Sequence, residues 1–367
     1  MVHWLLAVLT ACLLAGCGGG GGGAPSTVAG PTVGSLYITN LQSNLVAPWA
    51  LDAAGDNPVS LAASSAGAQP VAMTMSADGR YLYVANYQGN SVSAFQRNLA
   101  NGLLTPLSPA SQATVSTGPL SLALALSGKY LYVATTGGNA VTRFSVSSVD
   151  GSLSNRQELA MPAPPLGLAV NAARNQLYAT FLDHKLRVFN LDPATGDATL
   201  SQTLDTNLEP YDVKLNAQGS LLVVVNATAH TVSSYVIDAG TGVLSTADDV
   251  LMDGDAQNGS RPLQAALSPR GDFLYVVDHS AQRLSVFGIS MPGGALTRLD
   301  TPAGKMVPTT QRGPTAIAIN AAGNRLYVLN SDSNTMTTFV VDVSGWPAMV
   351  ELPTGVGSGP WSLLLAP

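Results

Sequence analysis

Apolar residues along this chain fall into short clusters separated by Gly, Asn, Asp and Ser, and the clusters repeat. A Leu-Tyr-Val-like cluster begins at Leu36, Leu82, Leu131, Leu177, Leu222, Leu274 and Leu326, with spacings of 46, 49, 46, 45, 52 and 52 residues. A proline opens a second apolar run at Pro70, Pro119, Pro165, Pro210, Pro262 and Pro314, each 12 residues before its Leu. A fixed offset repeated at this period marks one supersecondary unit copied along the chain. In the unit after Pro70 the pattern predicts strand A over residues 71–76, strand B over 81–86, strand C over 92–97 and a shorter strand D after Asn101-Gly102. The intervening turns carry Gly at Gly79, Gly271 and Gly323, where a tight hairpin requires positive φ. Strands A and B are nearly continuous apolar runs, so both faces of each small sheet are buried. In strand A large residues (Leu122 and Leu124, Ile317 and Ile319) alternate with small ones (Ser121 and Ala123, Ala316 and Ala318), which lets one sheet seat its large face on the small face of the next.

These features predict an all-β, seven-bladed β-propeller with four-stranded blades. Six complete units leave one blade split: the chain closes on Gly359-Pro360-Trp361-Ser362-Leu363-Leu364-Leu365, a lone strand A, and opens its repeats at Leu36 with a lone strand B. Pairing the two closes the ring and removes its exposed edges.

Before the repeats, residues 4–14 form an apolar stretch too short to span a bilayer but suited to a signal peptide. It ends in Leu14-Ala15-Gly16-Cys17, which resembles the bacterial lipobox. The predicted organisation is a lipoprotein signal peptide over residues 1–16, a lipidated Cys17 with a Gly-rich tether over 17–33, and the propeller over 34–367. The resemblance implies a lipid-anchored protein of the bacterial cell envelope, at the outer membrane or the periplasmic face, that meets the membrane through its anchor only. Cys12 lies inside the removed segment, so no disulfide is expected.

Composition narrows the function. Only 10% of the 367 residues are charged, with 16 Lys and Arg against 22 Asp and Glu, about 25% being typical. Nucleic-acid binding, which needs clustered cations, is not expected. Residues 18–23 are six glycines that match G-x-G-x-x-G, but no strand precedes them, and no cofactor is expected. The loop from Asp253 to Gly259 resembles a calcium loop with its Gly displaced by one and no Glu at the twelfth position; it reads as a solvated acidic loop. His184, His230 and His279 fall in three different hairpins, so no metal site is expected.

In a chain this poor in charge, two successive units stand out. The fifth opens with Glu209-Pro210-Tyr211-Asp212-Val213-Lys214 and the sixth with Arg261-Pro262-Leu263-Gln264. Gly or Pro stands before the proline at Gly118, Pro164, Gly313 and Gly359. A carboxylate pair, two cations and an amide are therefore expected to converge on one channel sector. One reading is a polar ligand site, with Asp212 or Glu209 as acid-base groups and Arg261 or Lys214 holding an anion. The other is a salt-bridge network between blades that satisfies itself. Trp361 beside the channel either stacks on a ligand ring or anchors the closing strand.

The strand Leu82-Tyr83-Val84-Ala85-Asn86, repeated as Leu326-Tyr327-Val328-Leu329-Asn330, resembles the YVTN-repeat and lactonase-like (6-phosphogluconolactonase-like) seven-bladed propellers. That group includes lactone hydrolases beside cell-surface proteins with no assigned chemistry. Its lactonase-type members carry a Gly-Pro-Arg-His-like strand start, where this chain has Leu263 and Gln264 after Pro262. The sequence therefore puts first a binding or scaffold propeller, monomeric, with a small molecule or an envelope protein on its channel face. The alternative is a lactone hydrolase acting on an extracytoplasmic, unphosphorylated sugar lactone.

Overall fold

The computed structural model describes residues 34–114, 116–252, 260–299, 307–308, 311–350 and 352–366. Cys17, the leader, the tether and the acidic loop from Asp253 to Gly259 lie outside the described residues.

Seven antiparallel sheets are arranged as predicted. Strands A run Pro70–Met75, Pro119–Ala125, Pro165–Asn171, Pro210–Leu215, Pro262–Leu267 and Pro314–Ile319 in blades 2 to 7. Blade 1 takes its strand A from the C-terminus, Pro360–Ala366, which pairs with strand B, Gly34–Asn40, in the register Ser35↔Ala366 to Ile38↔Leu363. Gly79, Gly271 and Gly323 have the positive φ expected of the A–B turns.

Strand D departs from expectation. In blade 2 it covers Leu104–Ala113, ten residues and the longest strand of its sheet, and most of it is exposed. As the outer edge it buries only Leu104 and packs Leu107 against the neighbouring core, so no hydrophobic period marks its length.

The apolar core is divided among the seven blade interfaces rather than gathered at the centre. In strand B of blade 2, Tyr81–Asn86, Leu82 and Val84 join Tyr37 and Val46 of blade 1, while Tyr83 and Ala85 join Leu122, Leu131 and Val133 of blade 3. Successive side chains of a strand point to opposite faces, so an unbroken apolar strand glues two interfaces. The closing interface is built alike, with Tyr327, Leu329 and Met336 of blade 7 against Leu36, Ile38, Trp49 and Leu363 of blade 1.

The repeated Tyr adds a polar latch to five of the seven apolar interfaces. Tyr37 Oη donates to Gly102 O of the next blade (2.7 Å), Tyr83 to Gly151 O (2.8 Å), Tyr132 to Gly196 O (2.6 Å) and Tyr275 to Gly345 O (3.1 Å). Tyr327 closes the ring on Gly55 O. Burial raises the phenol pKa of these tyrosines, which keeps each a donor. The latching glycine is fixed by its place: Gly151 has φ +71°, and a Cβ on it would lie 2.4 Å from the Tyr81 ring. Blade 5 has Val223 in place of Tyr, and Ser234 Oγ takes over the bond to Gly294 O at 2.7 Å.

Candidate functional site

Strands A stand innermost, and each slips out of register with strand B just after its proline. The bulge releases the following residue from the ladder and turns it inward. Val71, Leu120, Leu166, Tyr211, Leu263, Thr315 and Trp361 thereby form one ring around a central cavity of about 350 Å³. Five of the seven are small or aliphatic; Tyr211 and Trp361 are aromatic. Trp361 lines the cavity and packs on the core between blades 2 and 3.

The expected polar cluster resolves into two ion pairs at different depths. Asp212, Lys214 and Gln264 line the cavity. Lys214 Nζ donates to Asp212 Oδ1 at 2.9 Å, and the Ala265 amide of the next blade donates to Asp212 Oδ2 at 3.1 Å. Gln264 Oε1 accepts the Ile317 amide of blade 7 at 2.9 Å, as Ser121 Oγ accepts the Leu168 amide of blade 4 at 3.1 Å. In these three blades the second residue after the proline bonds the backbone of the following blade, so Asp212 and Gln264 already have structural duties. Glu209 and Arg261 stand higher, at the mouth: Arg261 Nη2 lies 3.2 Å from Glu209 Oε1, and Thr228 Oγ1 bonds Glu209 Oε2. The side chains of this pair are 15% and 16% exposed.

Three residues outside the predicted set complete the mouth sector. His279, on the B–C loop of blade 6, has Nε2 3.8 Å from Asp332 Oδ1 of blade 7, beyond hydrogen-bond length. Burial is the main influence on its imidazole and holds its pKa below 6.5; Asp332 opposes this and Arg261 adds to it. Tyr211 lies between mouth and cavity. Burial raises its phenol pKa, with Arg261 pulling the other way, so it is a proton donor at neutral pH. One sequence signal marks this sector: the repeat's Asn becomes Asp278 in blade 6. In blades 2, 5 and 7 that Asn ties strand B to strand C through hydroxyls, as Asn86 does to Ser91 (3.1 Å) and Ser93 (2.9 Å). Asp278, fully buried, instead accepts from the amides of Arg261 (2.8 Å) and Ala281 (3.0 Å), from Ser260 Oγ and from Arg283 Nη2 (3.3 Å). It thereby pins both loops that carry Arg261 and His279.

The other histidines are engaged separately. His184 Nδ1 accepts the Glu209 amide at 3.5 Å, and His230 Nδ1 is buried without a partner among the described residues. No group of three or more His, Cys, Asp or Glu residues fit to hold a metal ion occurs among the described residues.

Comparison with known proteins places this geometry. A 6-phosphogluconolactonase of Pectobacterium carotovorum subsp. carotovorum (strain PC1) is 25% identical over 190 residues, covering 50% of this chain and 55% of its own length; the chain thus spans about half of that relative. A Bacteroides fragilis protein crystallised as a candidate 6-phosphogluconolactonase superposes with a TM-score of 0.79 at 20% identity, over 91% of this chain and 98% of its own. A periplasmic gluconolactonase of Pseudomonas aeruginosa does so with a TM-score of 0.77 at 19% identity, over 91% and 99%. At such identities the structural likeness speaks for the fold. The family model for the seven-bladed lactonase β-propeller matches residues 30–118, 169–257 and 250–354. With seven blades closed through both termini and that match across most of its length, the chain belongs to the seven-bladed lactonase β-propeller family.

Proposed function

We propose that this protein is a lactone hydrolase of the bacterial cell envelope, acting on an unphosphorylated sugar lactone at the blade 5 to 7 sector of the channel mouth. The observation that carries this reading is the grouping there of a half-buried imidazole held neutral, a carboxylate beside it, a guanidinium and a phenol donor. Neutral His279 takes a proton from water as the oxygen attacks the lactone carbonyl, with Asp332 stabilising the imidazolium that forms. Arg261 and Tyr211 donate to the oxyanion of the tetrahedral intermediate. The ring C–O bond then breaks, the leaving alkoxide recovers the proton from His279, and a hydroxy acid departs. Lys214 and Arg261 already hold Asp212 and Glu209, so a neutral ring enters without stripping an ion pair, whereas a phosphate dianion would compete for both cations.

The envelope location rests on the Cys17 motif. Strand B of blade 1 begins at Gly34 on the face of the A–B turns, opposite the mouth.

The scaffold reading stands second, favoured by the engagement of Asp212 and Gln264 with neighbouring backbone. A panel of aldonolactones assayed by proton release separates the two. The hydrolase reading expects hydrolysis above the uncatalysed rate, reduced by about 10²-fold or more in His279→Ala; a rate that His279→Ala leaves unchanged refutes it.

A further inference from the structure

The charged sector fills only one side of the mouth. On the other side, over blades 2 to 4, lies a second cavity of about 500 Å³, lined by Tyr87, Gln88, Thr117, Thr136 and Leu182 over the backbone of Gly118. Small-molecule pockets span roughly 300–1,000 Å³. The lining carries no charge at neutral pH, which suits a neutral ligand. Its floor is bare at Gly118: a Cβ there would stand 2.7 Å from Thr136 Oγ1 and 3.3 Å from the Tyr87 ring, at φ +67°. Tyr87 is half-buried against the core between blades 2 and 3, as is Leu182. The Tyr87 hydroxyl, the Gln88 amide and the Thr117 hydroxyl have no side-chain hydrogen-bond partner among the described residues. An apolar ring face edged by free donors and acceptors matches a pyranose, which offers C–H groups on its faces and hydroxyls around its rim.

The cavity adjoins the charged sector. Leu182, in its lining, is two residues from His184, whose Nδ1 accepts the Glu209 amide at 3.5 Å.

We propose that this neutral half of the mouth is a glycosyl subsite, and that the ligand is a disaccharide-length aldonolactone with its lactone end among Glu209, Arg261 and His279 and its second sugar on Tyr87. The placement of the lactone end rests on the hydrolase reading; the glycosyl subsite does not. The test titrates the protein calorimetrically with lactobionate and gluconate, stable ring-opened acids with and without the second sugar. It also compares hydrolysis of cellobiono-1,5-lactone and glucono-1,5-lactone. The wild type is expected to favour the disaccharide in binding by about tenfold. Tyr87→Ala is expected to remove that preference while leaving gluconolactone turnover unchanged. Gln88→Ala, at an exposed position with no packing duty, is expected to weaken the preference and guards against a Tyr87 variant that fails to fold. Equal binding of the two acids, or a preference that neither variant alters, overturns the subsite. Hydrolysis without the preference also overturns the subsite while sustaining the hydrolase. The preference without hydrolysis sustains the subsite and overturns the hydrolase.

Discussion

Asp212 holds two partners at once, the Lys214 ammonium and the Ala265 amide, and their worth differs. The Lys214 side chain is 36% exposed, so solvent screens the pair, and such ion pairs contribute about 0–1 kcal/mol. The Ala265 amide belongs to a buried residue, and stranding a buried donor costs about 1–3 kcal/mol. Asp212→Asn keeps an oxygen for the amide and is expected to shift the urea midpoint little, whereas Asp212→Ala lowers stability by about 1–3 kcal/mol. Equal losses in the two variants would show that the charge matters and the acceptor does not. His279 carries the pH dependence. Its folded pKa lies below the 6.5 of a free imidazole, so between the two values the unfolded chain binds more protons. Its contribution to stability is therefore complete above about 6.5 and is lost as pH falls through the folded pKa. In the hydrolase reading kcat/KM falls on the acid side with an apparent pKa below 6.5, and Asp332→Asn moves that limb lower still. A limb at or above 6.5 in the wild type contradicts the role given to His279.

At the scale of the element, a blade is a thin sheet with two apolar faces, too small to bury either alone. Each interface joins an apolar cluster to a tyrosine or serine bond onto the next blade's hairpin, except between blades 4 and 5, where Tyr178 Oη turns to Gln176 of its own blade at 3.1 Å. Tyr83→Phe removes the donor to Gly151 O and leaves that carbonyl short of a partner between blades 2 and 3. The expected loss is about 1–3 kcal/mol in denaturant unfolding. Tyr178→Phe should cost less at the blade interface, since its bond stays within one sheet. Equal losses would mean that the hydroxyls stabilise their own blades and do not join neighbours.

For the whole molecule the decisive contact is the closing strand. Pro360–Ala366 supplies the innermost strand of blade 1 and completes the core between blades 7 and 1 with Leu363. Deleting residues 359–367 removes that strand, bares the edge of Gly34–Asn40 and opens the ring, so the propeller is expected to unfold or aggregate. An unchanged melting temperature and circular dichroism in the truncated protein would show that closure is dispensable. The same topology sets the mouth and the start of the described chain at Gly34 on opposite faces.

The fold was written into the sequence because it depends on short-range periodicity repeated at a fixed offset. The Pro-to-Leu spacing, the Leu-Tyr-Val-x-Asn strand and the split first unit are all local patterns, and each demands the same solution for burying two faces of a small sheet. Strand D escaped this reading because an exposed edge needs no apolar period. The choice of polar residues was legible too: Glu209, Asp212, Lys214, Arg261 and Gln264 stand out against a chain with few charges. Which of them pair, and at what depth, was decided only by tertiary structure, because strand A runs along the channel wall, leaving Glu209 and Arg261, ahead of their prolines, at the mouth and carrying Asp212, Lys214 and Gln264 down to the cavity. Asp212 and Gln264 were drawn to the backbone of the next blade, a partner 53 residues away. His279 and Asp332 meet although they belong to different blades and match no motif, since only the packing of blade 6 on blade 7 brings their loops together. The one trace of that meeting in the sequence is Asp278, the single acidic residue at the repeat's Asn position, whose carboxylate fixes both loops beside it.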